Sequence, residues 1–335
     1  MKNESFSFKR RRQLIQLGAA LSMAFAVPFA NVHANEQPLR ILVGFSAGGA
    51  TDSLIRVVAA EMSKELGRPV IVENKPGANQ VIAIQSLRSS TPDGNTLFVG
   101  TGSSLAQSPA VQKNLPYDPE LDFTPVALLG PSPGAIYVRS SLPINSVQDL
   151  VDYARENPGK LNYGSAGYGS ANHLSMEAFQ LATGTQMTHI PLKSGTEIMM
   201  EMQAGRLDVD IGTMQVAQQG MPSGKLRMLA ITSTEPLPFL PGVPTLQEVN
   251  VKGLEGLDPY TFFGLVGPKG LSDDIVLKLN AATNAAMASP AVQQRMQEVL
   301  FVQPTPGTPT QFKQYLSSEY KKWSELGKHI KLEGS

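Results

Sequence analysis

Two short glycine-bearing stretches hold most of the residues that could do chemistry in this chain. The first, FSAGGATD, sets Ser46, Ala47, Gly48 and Gly49 just ahead of Asp52. The second, LNYGSAGYGSANHLSMEAF, places Gly164, Gly167 and Gly169 among Ser165 and Ser170, with Tyr168 between them and His173 three residues beyond Ser170. Each runs from an extended apolar segment into a helical pattern. A turn in that position leaves N–H groups free at the positive end of a helix dipole, and glycines keep side chains out of an anion's path. It can hold a phosphate or a carboxylate, present a catalytic serine, or be a tight connection and nothing more.

Spacing separates some of these readings. Neither stretch contains Gly-x-Ser-x-Gly, because Tyr163 stands where the glycine before Ser165 should be, so the nucleophile elbow of serine hydrolases is absent. Ser165 or Ser170 with His173 remains a conceivable hydrolytic pair; the milder role for His173 is to cap or orient its loop. No Lys-Ser/Thr follows the glycines, which excludes a P-loop, and GTGSS at 100–104 lacks the third glycine of a dinucleotide fingerprint. Asp52, in a first helical turn, either complements the dipole or receives an ammonium or a water. Thr101 and Ser103 follow the strand-like TLFVG and would line the same crevice. Lys193 and Gly195 lie in a further strand-end turn, PLKSGTE, while NKPGAN reads as a structural turn. With no cysteine and four histidines, neither a thiolate nucleophile nor a disulfide framework is available, and no metal site or cofactor is expected.

The elements that must position these residues have one grammar. PLRILVGF is an apolar run of strand length. Apolar residues then recur at three and four from Asp52 to Leu66, Gly67 ends that helix, and PVIVEN is the next strand. A helix over 79–89 and a strand over 96–100 follow. The second half repeats the order: a helix over 146–159 capped by Ser146, the strand KLNYGS, the glycine-serine loop, the helix NHLSMEAFQLAT and the strand QMTHIPL. A helix and two strands span 195–232, the proline-rich piece from Pro236 is extended surface chain, YTFFGLVGP is a returning strand, and two long amphipathic helices close the chain, with Ser272 and Thr310 as caps. Alternating strands and helices predict α/β architecture with mainly parallel sheets. Two matched loops at the carboxyl ends of strands in two such units suggest one ligand held between them.

The chain has 335 residues, enough for two domains. Residues 1–34 carry Lys2, Lys9, Arg10, Arg11 and Arg12 against Glu4, which leaves 23 basic against 27 acidic side chains in the rest. That balance argues against a nucleic-acid partner. The basic start, the apolar run behind it and the small residues Val32 and Ala34 read as an export signal cut after Ala34, by the Sec or the twin-arginine route. The mature protein is then expected in the periplasm.

GGATD, VENKPGA, TPDGNTLFVGT, LPYDPELDFTPVALL, LNYGSAGYGSANHLSMEAF, GRLDV, GKLRMLAIT, VPTLQE and FFGLVGPKG, in that order, resemble the extracytoplasmic solute receptors of tripartite tricarboxylate transporters, the Bug receptors. The resemblance runs over essentially the whole mature chain. It implies a two-domain, type II periplasmic-binding-protein fold: residues 35–137 with 261–335 as one domain and 138–260 as the other, hinged near 136–139 and 259–264. It also implies a monomer that closes on a small carboxylate and delivers it to membrane subunits. Carried onto this chain, the carboxylate lies between Ala47, Gly48, Gly49 and Asp52 on one side and Ser165, Gly167, Tyr168, Gly169 and Ser170 on the other, with His173 behind. The chain departs from the family at GFSAGG, where prolines usually precede the glycines, at Ser194-Gly195, often two glycines, and at Tyr168, which is larger than the usual occupant. The competing readings are a periplasmic serine hydrolase and a receptor that reports to a signalling partner.

Overall fold

The computed structural model describes residues 37–233, 236–237, 240–254 and 261–329. The export signal at 1–34, parts of the proline-rich piece and residues 259–260 of the second expected hinge lie outside them. Ten strands form two five-stranded sheets. The first contains β1 (Leu39–Val43), β2 (Val70–Asn74), β3 (Thr96–Thr101), β4 (Phe123–Ser132) and β10 (Thr261–Pro268), ordered β2-β1-β3-β10-β4. The second contains β5 (Gly134–Arg139), β6 (Asn162–Ser165), β7 (Thr188–Pro191), β8 (Val209–Thr213) and β9 (Leu226–Ile231), ordered β7-β6-β8-β5-β9.

The two orders are the same pattern. In each sheet three parallel neighbours are followed by one antiparallel strand, β10 in the first and β5 in the second, and the outer strand beyond it turns back to the common direction. The antiparallel strand is in both cases the one the chain reaches just after passing between sheets. Each sheet with its helices forms a lobe, as expected of a type II binding-protein fold. The expected boundary after 137 needs correction: residues 134–137 already pair with β8 and β9. Pro133 is the one residue between β4 and β5, and 136–139 lies within β5.

Helices flank both sheets. In the first lobe, α1 (Ala50–Leu66) and α2 (Val81–Arg88) follow β1 and β2. A π-helical turn at Ser103–Gln107 leads into the short α3 (Ser108–Val111), and α4 (Pro119–Asp122) precedes β4. In the second lobe come α5 (Val147–Glu156), α6 (Ala171–Thr183), α7 (Gly195–Gln203) and α8 (Met214–Gly220). The chain closes in the first lobe with α9 (Asp273–Ala288), α10 (Pro290–Gln294), a π-helical turn at Arg295–Val299 and α11 (Pro309–Gly327). The apolar stripe of α1, Leu54, Ile55, Val58, Ala59 and Met62, is wholly buried against β1, β3 and α9, each large side chain contributing about 1.5–3 kcal/mol. Ser146 caps α5 through the Asp149 N–H at 3.0 Å. Ser272 precedes α9 but makes no cap bond, and the cap of α11 is Thr308 in place of Thr310. The reason is local: Gln311 sits three residues after Thr308 and returns its side-chain oxygen to the Thr308 N–H, closing a capping box.

A third connection joins the lobes, one the sequence did not suggest. Leu300 and Val302 belong to the first lobe's core. Phe301 between them turns the other way and lies in the second lobe's core with Tyr137, Met214 and Ile231. It is 2% exposed and has φ 53°, a left-handed conformation that costs a non-glycine residue about 1–2 kcal/mol.

Candidate functional site

In the first lobe the site begins where β1 ends. Ser46, Ala47 and Gly48 form an exposed lip, and Gly49 takes the position before α1 in extended conformation. The expected ligand group Asp52 is 3% exposed and both its oxygens are occupied. They accept hydrogen bonds from the Gly48 N–H (2.9 Å), Arg56 Nε (3.0 Å) and Asn74 Nδ2 (2.9 Å), and Asn74 also donates to the Phe45 carbonyl (3.0 Å). Burial pushes the Asp52 carboxyl up, but Arg56, Gly48 and Asn74 outweigh it and hold it below its ordinary value. Asp52 fastens the lip from behind, which leaves the first N–H groups of α1 to face outward.

Below the lip is a closed polar cluster. Gln80 Nε2 donates to Thr101 Oγ1 (2.9 Å) and Ser103 Oγ (3.0 Å), whose hydroxyls lie 2.8 Å apart, and Ser104 Oγ donates to Gln80 Oε1 (3.2 Å). Thr101 and Ser103, expected to line the crevice, are buried and bonded to each other around a residue the sequence did not single out. Gly44 makes room for it: a Cβ there would stand 2.5 Å from the Gln80 Cβ.

The second lobe builds its loop from rings. Tyr163, His189 and His173 stack in that order, with centroids 5.0 and 4.1 Å apart. Tyr168 meets both imidazoles edge-on, at 5.5 Å from His173 and 5.0 Å from His189. His189 was not anticipated; it enters because β7 pairs it with Tyr163. His173 Nδ1 accepts the Gly169 N–H at 3.1 Å, which places the neutral ring's proton on Nε2. Burial, reinforced by His189, pushes His173 down to about 3, and burial pushes His189 down to about 4, so both rings are neutral at neutral pH. Under α6, Asp210 accepts from Tyr137 Oη (2.5 Å) and from Asn172 Nδ2 (3.2 Å). Burial pushes its carboxyl up to about 7 against the pull of those two bonds.

The two serines of the loop differ. Ser165 is fully buried, accepts the Gly167 N–H (3.1 Å) and shares a proton with His189 Nε2 at 2.6 Å. The hydrolytic pairing of a loop serine with His173 is thus corrected: His173 faces Gly169, and the serine that does have an imidazole partner is shut away from any substrate. Ser170 precedes α6 but does not cap it. It is 3% exposed, and its Oγ has no hydrogen-bond partner among the described residues. Buried polar atoms are almost always paired, and this hydroxyl is an exception.

Other such atoms occur among the described residues. Thr213, at the end of β8, pairs with Gly134, and Thr261, at the start of β10, pairs with Ser132. Both hydroxyls, and Gln215 Oε1, are buried without a partner. Thr213 had a legible signal, the same strand-end position that pointed to Thr101; Thr261 lies on an antiparallel crossing strand and had none. The lobes touch at the second loop, where Ser108 Oγ donates to the Gly169 carbonyl (2.6 Å) and Gln112 Nε2 to that of Tyr168 (3.3 Å). Gly169 permits this approach, since a Cβ there would come 1.7 Å from Gln112 Nε2. The contact to the second loop therefore comes from the exit of β3, and neither Ser46 nor Ala47 hydrogen-bonds to the second lobe among the described residues. Gly195 is not brought to the loop: it starts α7 and packs on Val216, with Ser194 as cap. No group of three acidic or imidazole side chains that could hold a metal occurs among the described residues, nor is any helix there long and apolar enough to cross a membrane.

Residues 54–332 match the sequence model of the tripartite tricarboxylate transporter family receptor. The Bordetella pertussis protein BugT is 31% identical, over 86% of this chain and 87% of its own. Among solved structures, Rpa4515 of R. palustris with adipate superposes with TM-score 0.82 at 31% identity, covering 88% of this chain and 97% of that one. MatC (Rpa3494) from Rhodopseudomonas palustris with bound malate does so with TM-score 0.81 at 28% identity, covering 88% and 100%. The chain belongs to the tripartite tricarboxylate transporter receptor family.

Proposed function

We propose that this protein is a periplasmic solute-binding receptor that captures a small carboxylate-bearing metabolite between its lobes and delivers it to the membrane subunits of a tripartite transporter. The observation that carries this reading is the Ser170 hydroxyl, buried, unpartnered and released from capping duty at the start of α6. A carboxylate there accepts the Ser170 O–H together with the first N–H groups of α6, with the helix dipole behind them. Thr213 and Thr261 offer further hydroxyls on the floor. On the opposite side Ser46, Ala47, Gly48 and Gly49 present the amides at the mouth of α1, held by Asp52, while Thr101 and Ser103 support them through Gln80. Gly167, Tyr168 and Gly169 form the second wall, and Ser165 and His173 keep it in shape. Closure follows from a ligand that touches both lobes at once.

The bound adipate and malate of the two relatives support the ligand class. We read the chain as a receptor and not an enzyme, because among the described residues the serine with an imidazole partner, Ser165, is buried. The mature protein is expected to melt at higher temperature with at least one acid from a panel of mono-, di- and tricarboxylates and with no sugar. A ligand at a hundredfold excess over its Kd adds about 2.7 kcal/mol. A flat melting temperature across the whole acid panel overturns the reading.

A further inference from the structure

We infer that the bound carboxylate carries an uncharged, mainly apolar tail, and that the tail lies in the pocket between Val81, Leu115 and Tyr117 of the first lobe and Ala166–Tyr168 of the second. This rests on the carboxylate reading above and adds the chemical class of the far end. The pocket encloses about 290 Å³, at the small end of ligand pockets and right for a short chain or a single ring. Both lobes line it, so it exists only when they meet. It shares Gly167 and Tyr168 with the second wall proposed above for the anion site, and the next residue, Gly169, accepts the bond from Ser108.

Its chemistry selects against charge. No lining residue is ionisable as a cation or an acid apart from the phenols of Tyr117 and Tyr168. The Tyr117 phenol is turned away, donating to the Ser104 carbonyl at 3.0 Å, and burial pushes its pKa up. Tyr168 is half exposed, yet its ring is braced edge-on by two imidazoles and its carbonyl is held by Gln112, so it offers a fixed aromatic wall. The two amides on the lining are already engaged: Asn79 donates to Ser108 Oγ (3.3 Å) and Gln112 to the Tyr168 carbonyl (3.3 Å). A second carboxylate placed here would lose water and meet no cation. A methylene or ring carbon gains from the same burial, about fourfold in affinity per methylene. The dicarboxylates bound by the two structural relatives are thus poor guides to the tail in this chain.

Hexanoate and adipate test this directly, since they share a six-carbon chain and differ only in charge at one end. Calorimetric titration of the mature protein should give hexanoate a Kd lower than that of adipate by about tenfold or more. Leu115→Arg, which sets a guanidinium in the pocket, should reverse that preference. Ala166→Lys, at a partly buried position, repeats the test should Leu115→Arg not fold by circular dichroism. Adipate binding as tightly as hexanoate to the wild type overturns the inference while the carboxylate reading stands. A ratio unchanged in the folded variant overturns the assignment of the tail to this pocket. If no acid binds at all, both fall.

Discussion

The two glycine loops occupy matching places in matching sheets, one after β1 and one after β6, and are built from opposite materials. The first is an exposed lip of small residues fastened by a charged knot, Asp52 with Arg56 and Asn74. The second has buried ends, Ser165 and Ser170, and is fastened by neutral rings, His173 and His189 between Tyr163 and Tyr168. The first therefore offers backbone amides on an anchor that stays ionised. The second offers a pre-set side-chain hydroxyl on an anchor that must stay uncharged. A shared topology fixes where a ligand loop goes and leaves open what holds it.

Acid should break the second loop before the first, and this is the largest effect expected. His173 and His189 have depressed values in the folded protein, so their contribution is present above the unfolded value near 6.5 and is lost as pH falls toward about 4 and 3. Asp210 is raised to about 7, so it opposes them, contributing most at low pH and losing its contribution as pH rises through 7. Between pH 6 and 4 the unfolded chain binds two protons more at the histidines and one fewer at Asp210. Stability should then fall by about 1.4 kcal/mol per pH unit from these groups. Asp210→Asn should steepen that slope to about twice the value, and His189→Gln, at a half-buried site, should reduce it by about 1 kcal/mol per unit. Urea midpoints at pH 6, 5 and 4 read all three. Asp52, with its lowered value, holds the first loop throughout this range. Equal slopes in all three proteins would show that neutral rings are not what secures the second loop.

Next in size is the hydroxyl. Ser170→Ala should weaken binding of a carboxylate about 10- to 30-fold without lowering the melting temperature of the free protein, since no bond within the protein is removed. Ser46→Ala, on the exposed lip, should change affinity by less than about twofold. Equal losses would erase the distinction between a backbone lip and a side-chain wall. Smaller still, Asp52→Asn keeps an acceptor for Gly48 but loses the ion pair and should lower unfolding stability by about 1 kcal/mol. Arg56→Gln should change it by about 0.5 kcal/mol or less, because that guanidinium is 49% exposed.

The legible parts of this protein were those written in local periods. Strand runs, helical stripes and the two glycine turns lie within about a residue or two of where the spacing puts them, and both loops sit at strand ends. The lobe boundary came out a few residues late because Gly134–Arg139 is an apolar strand run that fits either sheet; only its pairing with β8 and β9 assigns it. Residues brought in by register or crossover stayed hidden. His189 reads as one more polar position in QMTHIPL until β7 pairs it with Tyr163. Thr261 is a strand residue until β10 sets it beside Ser132. Gln80 has φ 73° and a fully buried side chain, neither of which its neighbours in sequence announce. Asp52 is legible in its helix turn, and so is its i,i+4 partner Arg56, but Asn74 is brought to it only by the pairing of β2 with β1.

Phe301 has a consequence for what counts as a part of this molecule. The second lobe has its own sheet and its own helices, and by those measures could be cut out and studied alone. Its interior, however, is completed by a ring that the chain supplies from the closing segment of the other lobe. A fragment ending at Leu254 would carry a phenyl-sized hole in its core, and a shuffled protein joining this second lobe to a foreign first lobe would inherit the same defect. The second lobe cannot be inherited whole without the segment that carries Phe301.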